Sequence, residues 1–157
     1  MGDNTILQTI AILGGTGTEG KGLAYRWAKA GYKVLIGSRT QPKAIDAAEE
    51  LSKMLDGQPR IEGLANLEAA TQADIVVLTV PYSAHKPTLE SVKNAVQGKL
   101  FIDVTVPLVP PKVSKAQMPE AGSATQEARE ILGEGVEVCA AFQNISHEHL
   151  LGDGDVA

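Results

Sequence analysis

The chain has 157 residues, 43% of them hydrophobic, a formal net charge of −5 and one cysteine. That length suits a single domain, residues 1–157, with a substantial core, and the acidic balance argues against nucleic acid or an anionic membrane as a partner. A lone cysteine excludes an intrachain disulfide framework and fits a reducing, cytoplasmic setting. No apolar stretch approaches the roughly 18 residues of a membrane span, and the N-terminus lacks the apolar run of a signal peptide. Cys139 sits in an apolar run and reads as a small buried residue rather than a nucleophile.

Ile10-Ala11-Ile12-Leu13 reads as a first strand. It leads into Gly15-Thr16-Gly17-Thr18-Glu19-Gly20, which fits G-x-G-x-x-G. Lys21 to Ala30 follows as a helix, with Leu23, Ala24, Trp27 and Ala28 on one face and Gly31 at its end. Lys33 to Gly37 closes the βαβ unit. In that context the glycines predict a dinucleotide site. Gly15 allows the tight turn, Gly17 lets backbone N–H groups approach the pyrophosphate, and Gly20 brings the helix close to the strand. The helix N-terminus then faces the phosphate charge.

The next residues select the dinucleotide. An NAD site places Asp or Glu about 20 residues beyond the glycines to bind the ribose 2′-OH. Here the position holds Ser38-Arg39-Thr40 with Lys43 one turn on, and no carboxylate appears before Asp46. Arg39 can offer a planar fork to a 2′-phosphate, Ser38 a hydroxyl and Lys43 a point charge, so the pattern selects NADP. The competing reading is a pair of ordinary solvated charges at a strand–helix junction.

Helix-like and strand-like segments alternate through the rest. Pro42 or Lys43 to Leu55 is helical, Ile61 to Leu64 a short strand, and Asn66 caps a brief helix through Ala70. Asp74 to Val80 is a continuous apolar strand, as in a parallel sheet buried on both faces. Ser83 caps a helix carrying Leu89, Val92 and Val96, with Pro87 required to lie in its first turn. Leu100 to Thr105 is a strand, and a proline-rich loop follows from Val106 to Gly122. Ser123 and Gln126 suggest a capped helix to Leu132, and Val136 to Phe142 a last strand. The expected fold is α/β, a Rossmann-type doubly wound parallel sheet of order 3-2-1-4-5-6.

Ligands of such sheets sit beyond the carboxyl ends of the strands. Besides the residues already named, these ends hold Val80, Pro81, Tyr82 and Ala84 after strand four, Val109 after strand five, and Phe142, Asn144 and Ser146 after strand six. They offer apolar atoms, amides and hydroxyls, and almost no titratable group. His85 reads as lying in the first turn of a helix near the cofactor, with a solvated helix residue the commoner explanation. His147 and His149 lack further metal ligands at useful spacing, so no metal site is expected. A reaction here would need little acid–base help, as in hydride transfer between two cofactors.

Ile12 to Ala24 (ILGGTGTEGKGLA), Gly37-Ser38-Arg39 with Lys43, Thr79-Val80-Pro81 and Pro107-Leu108-Val109-Pro110 together resemble the NADPH-dependent F420 reductases, the F420:NADP oxidoreductases. The likeness runs over nearly the whole chain, and the GGTG-x-x-GKGLA and GSR-x-x-x-K blocks are its most specific parts. It implies an oxidoreductase that binds NADP(H) and passes hydride between C4 of NADPH and C5 of coenzyme F420. It also implies Thr16 to Glu19 at the pyrophosphate and Ser38, Arg39 and Lys43 on the 2′-phosphate. The ends of strands four and six would frame the nicotinamide and deazaflavin rings, and the assembly would be a homodimer. The chain departs from the family at Phe142-Gln143-Asn144-Ile145, where members place a histidine and small apolar residues. It also stops short of a C-terminal segment that completes the cleft and the dimer in the family. An NADPH-dependent reductase of a flavin, metal chelate or small carbonyl, and a non-catalytic NADP(H)-sensing domain, are the alternative readings.

Overall fold

A computed structural model describes residues 7–56, 61–108, 118–152 and 154. Strand β1 (Thr9–Leu13) lies at the centre, between β2 (Lys33–Ser38) and β4 (Ile75–Leu78). Outside β2 lies β3 (Ile61–Ala65), and outside β4 lie β5 (Leu100–Asp103) and β6 (Glu137–Ala140). Every pairing is parallel and the order is β3-β2-β1-β4-β5-β6, the doubly wound order expected from the sequence. The chain reverses direction across the sheet between β1 and β4, which opens a crevice at the carboxyl ends of those strands.

Alternation along each strand feeds two separate cores. Ile10, Ile12, Val34 and Ile36 pack under α1 (Thr18–Lys29) and α2 (Gln41–Met54), against Leu23, Ala24, Ala44 and Leu51. Ala11, Leu13, Leu35, Val76 and Phe101 face the other way, toward α3 (Asn66–Gln72), α4 (Tyr82–Val92) and α5 (Ala124–Leu132). Burial on both faces is why these strands read as unbroken apolar runs. Each fully buried valine, leucine, isoleucine or phenylalanine among them contributes about 1.5–3 kcal/mol.

Several element ends differ from the sequence reading. Helix α1 begins at Thr18 and not Lys21, so Glu19 and Gly20 lie inside its first turn. Pro81 is the N-cap of α4, in place of Ser83, and Pro87 falls beyond the first turn. Having no N–H, Pro87 leaves the exposed Ser83 carbonyl without its helical donor. Strand β6 ends at Ala140, and Phe142 adopts a left-handed φ of 64° that turns the chain away from the sheet. Ser123 does cap α5, its Oγ accepting the Gln126 N–H at 3.1 Å.

Cys139 is exposed, contrary to its apolar setting in sequence. It pairs in register with Ile102 on the α1 side of the sheet. Beta-6 is an edge strand, and none of the described helices covers that face there. The segment after β6 folds back onto α1 instead. Arg26 donates from Nε to the Leu150 carbonyl at 2.8 Å and from Nη2 to the His149 and Gly154 carbonyls. Leu150, 2% exposed, lies against Gly22, where any β-carbon would collide with it. Leu150→Ala should therefore cost about 2–5 kcal/mol, as for other buried leucines, and a thermal melt would show it. An unchanged melting temperature would mean that this segment is not part of the core.

Candidate functional site

The glycine turn is built by three different constraints. Gly14 takes the left-handed φ of 70°, so the tight turn belongs to it and not to Gly15. A β-carbon on Gly15 would lie 2.7 Å from the Ile12 carbonyl, and one on Gly20 would lie 2.7 Å from Gly15 Cα. Those two glycines let α1 approach β1. Gly17 differs, because a β-carbon there meets nothing nearer than Gly14 O at 3.9 Å. It points into open space above the turn.

Gly17 is also the N-cap of α1, and no side chain caps that end. The N–H groups of Thr18, Glu19 and Gly20 have no acceptor within the helix, and the helix dipole adds positive potential there. An anion fits this end. The Glu19 carboxyl, beside it, is raised above its usual range by burial, with the charge of His147 opposing part of that effect. Asn66, expected to cap α3, is instead its first residue, and its Oδ1 accepts the Gly14 N–H at 3.3 Å. It braces the turn from β3.

A cleft of about 740 Å³ runs along the carboxyl ends of β2, β1, β4 and β5, within the roughly 300–1,000 Å³ typical of ligand sites. Ser38, Arg39 and Lys43 line one end, and Thr16 to Gly20 the middle. Val80, Pro81, Tyr82 and Ala84, with Thr105 and Leu108 after β5, line the other end. Ser38 Oγ accepts the Thr40 N–H at 3.1 Å, leaving its proton free to donate. Arg39 and Lys43 are exposed, and no ion pair among the described residues holds either of them.

Not every candidate reaches this cleft. Gly15 lies buried beneath it. Phe142 packs edge-on against Trp27 at 5.9 Å on the α1 side, while Asn144 and Ser146 are exposed and do not line it. The early end of β6 and the turn at Phe142 carry these three away. Val109 lies outside the described residues.

Sequence reasoning missed one cluster. His85, read as a solvated helix residue, is fully buried. Its Nε2 lies 2.8 Å from Asp103 Oδ2 and its Nδ1 3.3 Å from Glu127 Oε1. Glu127 in turn accepts a hydrogen bond from the Tyr82 hydroxyl at 2.9 Å. The spacing of Tyr82 and His85, three apart on one helical face, was the available signal. Their partners on β5 and α5 were visible only in the fold.

Among the described lining residues, the titratable side chains are Glu19, Arg39, Lys43 and Tyr82. None is a free proton donor at the β4–β5 end, where Tyr82 is already committed to Glu127. No helix among the described residues is long and apolar enough to cross a membrane.

The chain is similar in sequence and fold to known proteins. The family model described as NADP oxidoreductase coenzyme F420-dependent matches residues 9–107. The chain is 43% identical over 147 residues to the F420-dependent NADP reductase of Methanothermobacter marburgensis, covering 90% of this chain and 66% of that one. It is 38% identical over 144 residues to the F420-dependent NADP reductase of Methanocaldococcus jannaschii, covering 88% and 64%. A crystal structure from Arthrobacter sp. FB24, provisionally named an F420-dependent NADP-reductase, superposes with a TM-score of 0.74 at 24% identity. That alignment covers 90% of this chain and 65% of the other, and it bears on the fold alone. The chain thus spans slightly under two-thirds of the length of each of these proteins.

Proposed function

The chain belongs to the coenzyme F420-dependent NADP oxidoreductase family, and from that premise we propose that it binds NADP(H) and transfers hydride between NADPH and coenzyme F420. One observation carries the reading. Among the described residues, the cleft joins a basic end at Arg39 and Lys43, without ion-pair partners, to an uncapped helix terminus, then to an end without a free proton donor.

Each part has a task in this reading. Arg39, Lys43 and the Ser38 hydroxyl hold the adenosine 2′-phosphate by charge-assisted hydrogen bonds. The N–H groups of Thr18 to Gly20 take the pyrophosphate, and the bare Gly17 lets it come close. The walls at Val80, Pro81, Tyr82 and Ala84 orient the nicotinamide. When bound, the two cofactors supply the chemistry, a hydride passing between C4 of one and C5 of the other. The protein contributes position and keeps water away from the reacting faces. The proposed setting is the cytoplasm, which suits a single unpaired cysteine, and the proposed assembly is a homodimer. Dimer formation would shield the α1-side face of β5 and β6, where Cys139 is exposed.

The test is isotopic. NADPH deuterated at the transferred C4 position should deliver its label to C5 of the deazaflavin, and sedimentation under the same conditions reads the assembly. Label lost to solvent would refute direct transfer.

A further inference from the structure

His85 is fully buried, and both of its ring nitrogens meet carboxylate oxygens. With both acids as carboxylates, whose oxygens only accept, both nitrogens donate and the ring is an imidazolium. Around it the donors are all aimed at the same two acids. Tyr82 donates to Glu127 Oε2, and the Thr105 N–H donates to Asp103 Oδ1 at 3.0 Å. The Tyr82 ring stands 5.7 Å from the His85 ring, tilted by 32°. Helix α4, strand β5 and helix α5 thus meet in one charged network inside the protein. An apolar side chain would fill the space at lower cost, since buried charges are expensive even when paired. Both ends of the network, Tyr82 and Thr105, line the cleft.

We propose that His85 is a positioning residue: as an imidazolium it fixes Glu127, and through Glu127 it holds the Tyr82 ring against the nicotinamide end of the cleft. Helix α5 thereby acts on a site to which it contributes no lining residue. This role rests on reading the cleft as the NADP(H) site.

Burial works against the charge on His85, but the hydrogen bonds and charges of Asp103 and Glu127 outweigh it and raise the ring above its ordinary 6.5. Tyr82 is raised as well, by burial and then by Glu127, so it keeps its proton while His85 titrates. Among the described residues, the titratable groups facing the imidazole are Asp103 from β5, Glu127 from α5 and Tyr82 from its own helix. When the ring loses a proton, one nitrogen turns a lone pair toward a carboxylate. The 3.3 Å contact to Glu127 is the weaker of the two and should open first. Glu127 then loses its anchor and Tyr82 moves with it, and binding must order the pair again. That lost preorganisation is worth about a two- to tenfold change in affinity.

The experiment measures NADPH affinity by fluorescence between about pH 6 and 10, upward from the ordinary histidine value. The wild type is compared with Tyr82→Phe and Glu127→Ala, each of which removes the Tyr82–Glu127 hydrogen bond. Wild-type affinity should step down about two- to tenfold as pH rises through the raised His85 value. Both variants should be weakened at neutral pH and should lack the step. A variant with His147→Gln and His149→Gln leaves one imidazole for nitrogen NMR, which should show both ring nitrogens protonated at neutral pH. A bare ring nitrogen there, or an undiminished step in Tyr82→Phe, would overturn the proposal. Bound NADPH with a pH-independent affinity would overturn the positioning role alone. No NADPH binding at any pH would overturn the reading of the cleft and the positioning role with it.

Discussion

Gly17→Val should abolish binding of both NADPH and NADH while leaving the fold intact. Gly17 has an ordinary φ of −75°, so a valine meets no backbone strain. Its β-carbon would find only the Gly14 carbonyl at 3.9 Å, an ordinary contact. The two methyl groups must then project over the N–H groups that would face a pyrophosphate. A lost approach of that kind should weaken both coenzymes roughly a hundredfold or more, about 2.7 kcal/mol and upward. The expected result is a melting temperature near wild type that no longer rises when coenzyme is added. The neighbouring glycines give the contrast. A β-carbon at Gly15 or Gly20 collides with backbone at 2.7 Å, so alanine at either should lower stability itself. An unaltered NADPH affinity in Gly17→Val would remove the glycine turn from the site.

The sequence announced the sheet clearly because its strands are buried on both faces. Ile10 to Leu13 and Ile75 to Leu78 cannot satisfy a helical or alternating pattern, and parallel pairing follows from the helices between them. The end of the cleft at Ser38, Arg39 and Lys43, proposed above for the adenosine 2′-phosphate, was legible for a similar reason, since it is made from residues local to one βαβ unit. At the other end Val80 to Ala84 were legible too, but the residues after β6 were not. Their place depends on where β6 ends, and the turn at Phe142 carries that side chain to Trp27 instead of the cleft. Asn66 shows the same limit on a smaller scale. Its side chain is a cap by local rules, yet it serves the Gly14 N–H 52 residues away. His85 shows it most plainly, because a histidine on a helix reads as solvated until Asp103 and Glu127 are brought to its two nitrogens. Polar residues whose partners are distant in sequence carry no local signature of their role.

Arg39→Ala should weaken NADPH binding by about 1.5–3 kcal/mol, the usual worth of a hydrogen bond to a charged group, and leave NADH almost untouched. In affinity that is about ten- to 150-fold. The two coenzymes differ only in the 2′-phosphate, so a contact to that group appears as a difference between them. Arg39 lies at the β2 end of the cleft, exposed and without an ion-pair partner among the described residues, so no internal contact is lost with it. Stability should stay within about 0.5 kcal/mol of wild type, as for other surface changes. Arg39→Lys should recover only part of the loss, since an ammonium keeps the charge but not the planar fork. Exposure has a second consequence, which separates this contact from the buried ones. Salt screens it, so wild-type NADPH affinity should fall as ionic strength rises and NADH affinity should fall less. In Arg39→Ala that excess salt dependence should shrink, Lys43 accounting for what is left. If titration instead shows NADH bound as tightly as NADPH by the wild type, then Ser38, Arg39 and Lys43 do not read a 2′-phosphate, and the missing carboxylate at this position needs another cause.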